Sequence, residues 1–252
     1  MEEIEVHELK KVKLKKPVMI EGLPGVGNVG KLVAEHMIHE LKAEKIIEIY
    51  SWHFPPQVLV NDDGTVHLCK NELYALKTNK QDLLIVTGDQ QSTTSEGHYF
   101  ITERLLDIAQ QYKVSRIYTL GGYGIGQLVE KQAVLGAAND IALVGEMKKY
   151  GVQFQEEEPG GSIVGASGLL LGLGGLRGFP AVCLLGLTSG YLVDPQSAQA
   201  VLKILCQALN LEIDMQALED RAEEMEKVVE RLKEMEQAQM PRQREEELGY
   251  IR

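Results

Sequence analysis

Three glycines within six residues form a segment that could hold a phosphate. The letters G-V-G-N-V-G at residues 25–30 match the dinucleotide-binding pattern G-x-G-x-x-G, and they stand between an apolar run and a helical pattern, as that motif requires. Glycine lets a backbone approach a phosphate closely, and a helix N-terminus favours an anion. The motif also needs an acidic residue about 20 positions later. Glu48 is near that distance but lies inside the next apolar run, so only the phosphate-binding half of the motif is met.

The same segment also approaches a Walker phosphate loop, because Gly25 is followed after four residues by Gly30 and Lys31. Leu32 stands where that loop needs a hydroxyl to bind magnesium. The residues through which a cofactor would be held are Gly25, Gly27, Gly30 and Lys31. The alternative is that these glycines allow a tight strand-to-helix turn and bind nothing, and we expect no cofactor.

Other catalytic patterns are weaker than the glycine segment. The six histidines form neither H-x-H nor H-E-x-x-H, and the sequence contains no G-x-S-x-G elbow. Asp89, Thr93, Ser95 and His98 could supply an acid, a hydroxyl and a base. A polar loop followed by a helix capped by Ser95 explains the same residues more simply. We therefore expect neither a catalytic nor a metal site.

Strand and helix patterns alternate along the first 210 residues. Short apolar runs at 18–20, 45–51, 82–88, 114–120 and 181–187 are typical of strands, and helical patterns begin near 29, 95, 137 and 196. An Asp-Gly turn between residues 58–60 and 66–68 predicts a surface hairpin, and residues 4–15 predict an edge strand. This alternation indicates an α/β fold with a mostly parallel sheet and helices on both faces. The polar or glycine-rich loops 22–30, 88–95 and 121–126 should then gather at one edge of the sheet.

Composition excludes several classes of partner. The net charge is -11 and the sequence pI is about 5.1, so binding to nucleic acid or to an anionic membrane surface is not expected.

Cys69, Cys183 and Cys206 are far apart and form no C-x-x-C pair, which is typical of buried thiols in a reducing compartment. No apolar run reaches about 18 uninterrupted residues. We expect a soluble, cytoplasmic protein.

The character of the sequence changes after residue 210. Apolar residues follow spacings of four and three, at Leu211, Met215, Leu218, Ala222, Met225, Val229 and Leu232. The surrounding positions are charged, with 12 acidic and 6 basic residues between Asp214 and Glu247. We therefore divide the chain into an α/β core (1–210), an amphipathic helix (211–240) and a C-terminal tail (241–252).

A helix with so narrow an apolar stripe needs a partner surface. Because charges flank the stripe as in a coiled coil, we expect homo-oligomerisation through Leu218, Met225, Val229 and Leu232. The alternative is that the helix packs on its own domain. The mixture of Met, Ala, Val and Leu at the seam predicts no oligomer number.

Pro241 breaks that helix, and a short charged linker then leads to Leu-Gly-Tyr-Ile-Arg. An apolar and aromatic end after a charged linker suits a peptide that docks in a partner's pocket. The partner-binding residues are then Leu248, Tyr250, Ile251 and Arg252. Fraying of the terminus is the alternative.

Five blocks of sequence occur in the order found in archaeal members of the proteasome assembly chaperone family. They fall between about Pro17 and Leu209, at residues 22–31 (GLPGVGNVGK), 88–91 (GDQQ), 120–123 (LGGY), 165–171 (GASGLLL) and 194–195 (DP). Five blocks in one order are far more specific than any single glycine motif. By these blocks the chain resembles that family.

The resemblance implies a fold similar to the phosphorylase/hydrolase-like proteins, homo-oligomerisation, and help in assembling the α subunits of the 20S proteasome. Some archaeal relatives carry a C-terminal hydrophobic-tyrosine-any motif that inserts between α subunits; here Tyr250 is third from the end. We therefore expect a non-enzymatic chaperone whose partners are proteasome α subunits or a second family member. The alternatives are a structural adaptor for another partner, or an enzyme or sensor that binds phosphate, a nucleoside or a nucleotide at the glycine-rich loops.

Overall fold

A computed structural model describes residues 3–154 and 161–239, with side chains through residue 228 except residue 226. One eight-stranded sheet and a separate two-stranded hairpin account for all strands in this part of the chain. The strands are β1 (Ile4–Glu8), β2 (Val18–Glu21), β3 (Glu44–Ser51), β4 (Val58–Val60), β5 (Val66–Leu68), β6 (Asn71–Leu76), β7 (Leu83–Gly88), β8 (Arg116–Gly124), β9 (Val134–Ala138) and β10 (Ala181–Thr188). The helices are α1 (Val29–Glu40), α2 (Ser95–Gln111), α3 (Ile141–Lys148), α4 (Gly165–Leu176), α5 (Pro195–Leu209) and α6 (Gln216–Gln239).

The centre of the large sheet is parallel and its flanks are antiparallel. The strand order is β1-β3-β6-β7-β2-β8-β10-β9, and the pairs β7-β2, β2-β8 and β8-β10 are parallel. Strands β1, β6 and β9 run against the other five. Every residue of β2 and β7 is buried, because parallel central strands are covered on both faces.

Two hydrophobic clusters lie on opposite faces of the sheet. One contains residues of α1, α3, α5 and the start of α6, and the other contains residues of α2 and α4. Alternation along β2 divides its side chains between them, since Val18 and Ile20 join the first cluster and Met19 joins the second. The predicted α/β fold with helices on both faces is confirmed.

Two predicted elements near the sheet edge were wrong. Residues 121–124, predicted as a loop, are the end of β8. The helix predicted from 137 to 150 begins only at Ile141, because residues 134–138 form β9 and pair with β10. Pairing with a neighbouring strand is a tertiary contact that helical periodicity does not reveal.

The predicted cap of α2 is displaced by one residue. Thr94, not Ser95, caps α2, and its Oγ1 accepts a hydrogen bond from the Gly97 N–H at 3.0 Å. Asp140 caps α3, and the side chain of the preceding Asn139 binds the backbone of the strand and helix beside it. The predicted hairpin of β4 and β5 and the edge strand β1 are present.

Candidate functional site

Loops that follow parallel strands meet at one edge of the sheet, called here the rim. The loop after β2 contacts the loop after β7 through Gln91, whose Nε2 donates to the Pro24 carbonyl at 2.7 Å. The loop after β10 joins them through the Asp194 N–H, which donates to the Gly27 carbonyl at 2.9 Å. The parallel order of the strands therefore brings the predicted loops together, and it adds a loop that sequence reasoning had not included.

Protein atoms occupy the space that two of the motif glycines leave open. A Cβ on Gly30 would lie 2.2 Å from the Leu120 carbonyl oxygen, and one on Gly27 would lie 2.9 Å from Oγ1 of Thr188. Gly27 also has a positive φ of 63°, which favours glycine. These glycines allow α1 to pack tightly against β8 and β10, as the ligand-free alternative requires. Gly25 differs, since its nearest neighbour would be Gln91 at 4.0 Å.

Lys31 is bound by groups of its own chain. Its Nζ donates to the Gly88 carbonyl at 3.0 Å and lies 3.5 Å from an oxygen of Glu35. The ammonium group thus joins α1 to the end of β7. The structure brings Lys31 beside the rim, but its charge is engaged by protein oxygens.

A fully buried carboxyl group lies beneath the rim, at the end of β2. Oε1 of Glu21 accepts from the Leu23 N–H at 3.1 Å, and Oε2 accepts from the Ser167 hydroxyl at 2.9 Å. Burial raises the pKa of Glu21 to about 7, although these two hydrogen bonds act in the opposite direction. Glu21 therefore connects β2 to α4 and titrates near neutral pH. Sequence reasoning missed it because an acidic residue at a strand end has no distinguishing pattern.

The residues that could have supplied an acid, a hydroxyl and a base make other contacts, as the simpler interpretation of a polar loop requires. Asp89 accepts from the Lys70 N–H at 3.1 Å, and Thr93 Oγ1 donates to the His53 carbonyl at 3.1 Å. Burial lowers the pKa of His98, which takes no part in either contact.

No three His, Cys, Asp or Glu side chains among the described residues could hold a metal ion. Neither is any described helix long and apolar enough to cross a bilayer.

His53, which sequence reasoning had not singled out, is instead the histidine that binds a hydroxyl. Its Nδ1 lies 2.8 Å from Oγ1 of Thr94, and its Nε2 lies 3.1 Å from a carboxylate oxygen of Glu3. Because Thr94 caps α2, this contact holds the loop after β3 against that helix. The arrangement fixes the backbone beside the exposed Trp52.

Large apolar side chains are exposed around the rim. One group lies at the end of β8 and on the loops after β2, β8 and β10, and it comprises Val26, Tyr123, Leu128, Tyr191 and Val193. A second group lies beyond β3 and comprises Trp52 and the hairpin residues Val58, Val60, Val66 and Leu68. Contiguous exposed apolar surface marks sites of protein association. The rim therefore presents exposed apolar side chains, which suit contact with a protein better than binding of a phosphate.

The predicted oligomerisation helix begins by packing on its own domain. Leu218 and Ala222 of α6 are buried, and Leu218 lies in the same cluster as residues of α1 and α5. His36 supports this junction, with Nε2 2.6 Å from the Asp214 carbonyl oxygen. Leu218 is thus engaged within the chain, as the alternative for this helix requires. Met225 is half-buried.

The remaining predicted contact residues are not described. The side chains of Val229 and Leu232 lie outside the described part of the structure, although both positions belong to α6. Leu248, Tyr250, Ile251 and Arg252 lie wholly outside the described residues. The roles of these residues stay predictions.

Comparison with known proteins gives related chains of matching length. A profile described as the PAC2 family matches residues 19–233. The uncharacterized protein MJ1210 of Methanocaldococcus jannaschii is 43% identical over 243 residues, which cover 94% of this chain and 93% of the relative.

Solved structures match over the same extent. The crystal structure of Pyrococcus furiosus PbaB, described as an archaeal proteasome activator, is 42% identical with a TM-score of 0.88, covering 92% of this chain and 100% of PbaB. Pyrococcus furiosus PbaA, described as an archaeal homologue of proteasome-assembly chaperone, is 27% identical with a TM-score of 0.76, covering 92% of this chain and 94% of PbaA. The resemblance found in the sequence blocks is confirmed at the level of the family.

Proposed function

Because the chain belongs to the PAC2 family, we propose that it is a proteasome assembly or activation factor that acts through protein–protein contacts. The observation that carries this proposal is the match to PbaB, which extends over 92% of this chain at 42% identity. The family profile matches residues 19–233, a range that spans the loops of the rim. The partners are proteasome α subunits or a second family member, and the site of action is the cytoplasm.

The geometry of the rim supports a role without catalysis. Protein atoms fill the space beside Gly27 and Gly30, and carbonyl and carboxylate oxygens of the chain bind the Lys31 ammonium group. The exposed groups at the same edge are large and apolar. Such a surface favours a partner that is itself a protein.

Two further segments complete the proposed contacts. The part of α6 beyond Ala222, with Met225, Val229 and Leu232, contributes to homo-oligomerisation once Leu218 has anchored the helix to its own domain. The C-terminal residues Leu248, Tyr250, Ile251 and Arg252 dock on the proteasome partner.

Co-purification with proteasome α subunits tests the proposal. The full chain, a variant lacking residues 248–252, and Tyr250→Ala are each incubated with α subunits and recovered by a tag at residue 1. We expect capture by the full chain and at least about tenfold weaker capture by both variants, a loss of about 1.4 kcal/mol. Lys227→Ala, an exposed change on the charged face of α6, is the control that should bind normally. Absence of capture by the full chain would contradict the proposed function, and equal capture by all variants would contradict the role of the tail.

The alternative of a small-molecule enzyme or sensor makes an opposite prediction for thermal stability. A ligand present at 100 times its dissociation constant would add about 2.7 kcal/mol to the free energy of unfolding. We expect nucleotides, nucleosides and phosphate to leave the melting temperature unchanged, because protein atoms fill the positions beside Gly27 and Gly30. A concentration-dependent rise that Gly25→Val abolishes would favour the alternative, since a Cβ on Gly25 would have only Gln91, at 4.0 Å, beside it and a side chain there could displace a ligand.

A further inference from the structure

A small cavity lies beneath the rim, where the loops after β2 and β7 meet β6, α2 and α4. Eight residues from these five segments form its wall: Leu23, Asn71, Gln91, Ser92, His98, Ile101, Thr102 and Ala166. The cavity leaves about 10 Å³ of room for the centre of a water molecule. A bound water needs about 10–15 Å³ of such room, so the cavity has the size of one water molecule.

Two buried oxygens on the cavity wall have no hydrogen-bond partner within the described part of the chain. They are Oδ1 of Asn71 and Oγ1 of Thr102, and both residues are fully buried. The orientation of the Asn71 amide is fixed, because its Nδ2 donates to the Gln90 carbonyl at 3.0 Å. Its Oδ1 can therefore only accept. Because buried side-chain oxygens are nearly always hydrogen-bonded, both atoms require a partner.

The other polar groups on the wall are engaged elsewhere or uncharged. Nε2 of Gln91 donates to the Pro24 carbonyl at 2.7 Å, and the Ser92 hydroxyl donates to the Thr94 carbonyl at 2.9 Å. Burial lowers the pKa of His98, so its ring is neutral at pH 7 and offers one donor and one acceptor nitrogen. The wall is thus polar without carrying a charge.

We infer that the cavity is a binding site for one water molecule, which joins Asn71 Oδ1, Thr102 Oγ1 and the ring of His98. Water supplies two donors and two acceptors, so it can donate to Oδ1 and still exchange a hydrogen bond with the hydroxyl and one with the imidazole. Buried waters typically make about three such bonds. An ion is disfavoured because the wall offers no opposite charge, and a larger solute does not fit.

The position of this water gives it a structural role under the rim. Asn71 begins β6, and Thr102 lies within α2, so the water bridges the sheet to a helix that packs on it. Leu23 and Gln91, which also line the cavity, belong to two of the rim loops. The water therefore supports these loops from below. This site does not depend on the proposed function.

The sign of a stability change tests the site. Thr102→Val keeps nearly the shape of the side chain and removes only the hydrogen-bonding oxygen. If that oxygen binds a water, the substitution deprives the water of a partner, and we expect the equilibrium constant for unfolding in urea to rise about tenfold. If the oxygen has no partner at all, its removal should instead lower the unfolding constant, because a buried unsatisfied group is itself destabilising.

Two measurements detect the water directly. Magnetic relaxation dispersion in water enriched with ¹⁷O reports slowly exchanging buried waters of the full chain in solution. We expect Thr102→Val to lose the contribution of one such water, whereas Thr102→Ser, which keeps the hydroxyl, should retain it. A high-resolution crystal structure of the wild type should show the oxygen of a water within hydrogen-bond distance of Asn71 Oδ1 and Thr102 Oγ1.

Three results would overturn the inference. The first is a wild-type crystal structure in which the cavity is dry or a protein donor such as His98 has moved onto Asn71 Oδ1. The second is an equal relaxation dispersion in the wild type and Thr102→Val, and the third is a lower unfolding constant in Thr102→Val. If Thr102→Val does not fold, the wild-type crystal structure decides. Capture of proteasome α subunits is measured separately, so failure of either proposal leaves the other standing.

Discussion

The buried carboxyl of Glu21 predicts a pH dependence of folding that one substitution should remove. Glu21→Gln keeps the shape of the protonated side chain and retains an oxygen that can accept from the Leu23 N–H. Its amide can donate to the Ser167 hydroxyl, which now donates to Glu21 at 2.9 Å. The substitution therefore removes the charge while preserving the connection between β2 and α4.

The sign and size of the effect follow from the raised pKa. Below pH 4.5 the carboxyl is protonated in both the folded and the unfolded chain, and it contributes no pH dependence. Between 4.5 and about 7 the unfolded chain ionises first, so the free energy of unfolding falls as the pH rises. A tenfold difference in proton affinity is worth about 1.4 kcal/mol, so the full loss is about 3 kcal/mol, most of it between pH 5 and pH 8.

Urea unfolding followed by circular dichroism at pH 5 and pH 8 measures this loss. The quantity of interest is the difference between wild type and Glu21→Gln, because contributions from the histidines are common to both and cancel. We expect the variant to be of similar stability at pH 5 and more stable than the wild type by about 2–3 kcal/mol at pH 8. An equal pH dependence in the two proteins would refute the assignment of a raised pKa to Glu21.

Substitutions at four further positions test the packing of α6, α1 and α4 and the cap of α2, each by urea unfolding. Leu218→Ala should cost about 2–5 kcal/mol, because Leu218 is fully buried, and a cost below about 0.5 kcal/mol would mean that α6 is not anchored there. Gly30→Ala should destabilise by about 1–3 kcal/mol or more, since its Cβ would meet the Leu120 carbonyl. Gly172→Ala, with open space inside α4, should instead stabilise by about 0.5–1 kcal/mol. Thr94→Ala should cost about 1 kcal/mol through loss of the α2 cap, and Thr94→Ser should restore most of it.

The predictable parts of the fold were those with a strong local signal. The apolar run before Gly22 and the helical period after Val29 gave the first strand, turn and helix correctly, because both periods are read within one segment. The hairpin of β4 and β5 was also predictable from its Asp-Gly turn.

Glycines produced the main errors at the rim. Gly121 and Gly122 were assigned to a loop, yet both lie in β8. A Cβ on Gly122 would stand 2.3 Å from the Val26 carbonyl oxygen, so glycine is needed there for close approach and not for a turn. Composition alone does not distinguish these two uses, because the difference lies in a neighbour distant in sequence.

The candidate site was predictable as a place but not as a surface. The parallel order of the strands predicts that the loops lie together. The exposure of Trp52 and of the outward side chains of the β4–β5 hairpin depends instead on how the hairpin packs against the domain. The letters V-L-V of β4 are apolar on both faces, so they do not say which face packs on the core. Leu59 faces inward, and Val58 and Val60 therefore face outward.

The packing of the rim and its capacity for binding proteins are connected. The close approach of Gly30 to Leu120 and the hydrogen bond between Glu21 and Ser167 hold the loops of the rim. The buried carboxyl of Glu21 lowers the free energy of unfolding by about 3 kcal/mol above pH 7. This loss is acceptable if the carboxyl holds β2 against α4. Loops fixed in this way lose little conformational entropy when a partner binds, so more of the contact energy appears as affinity. A rim that is held by such contacts and presents apolar groups is thus a physical basis for association with a partner protein.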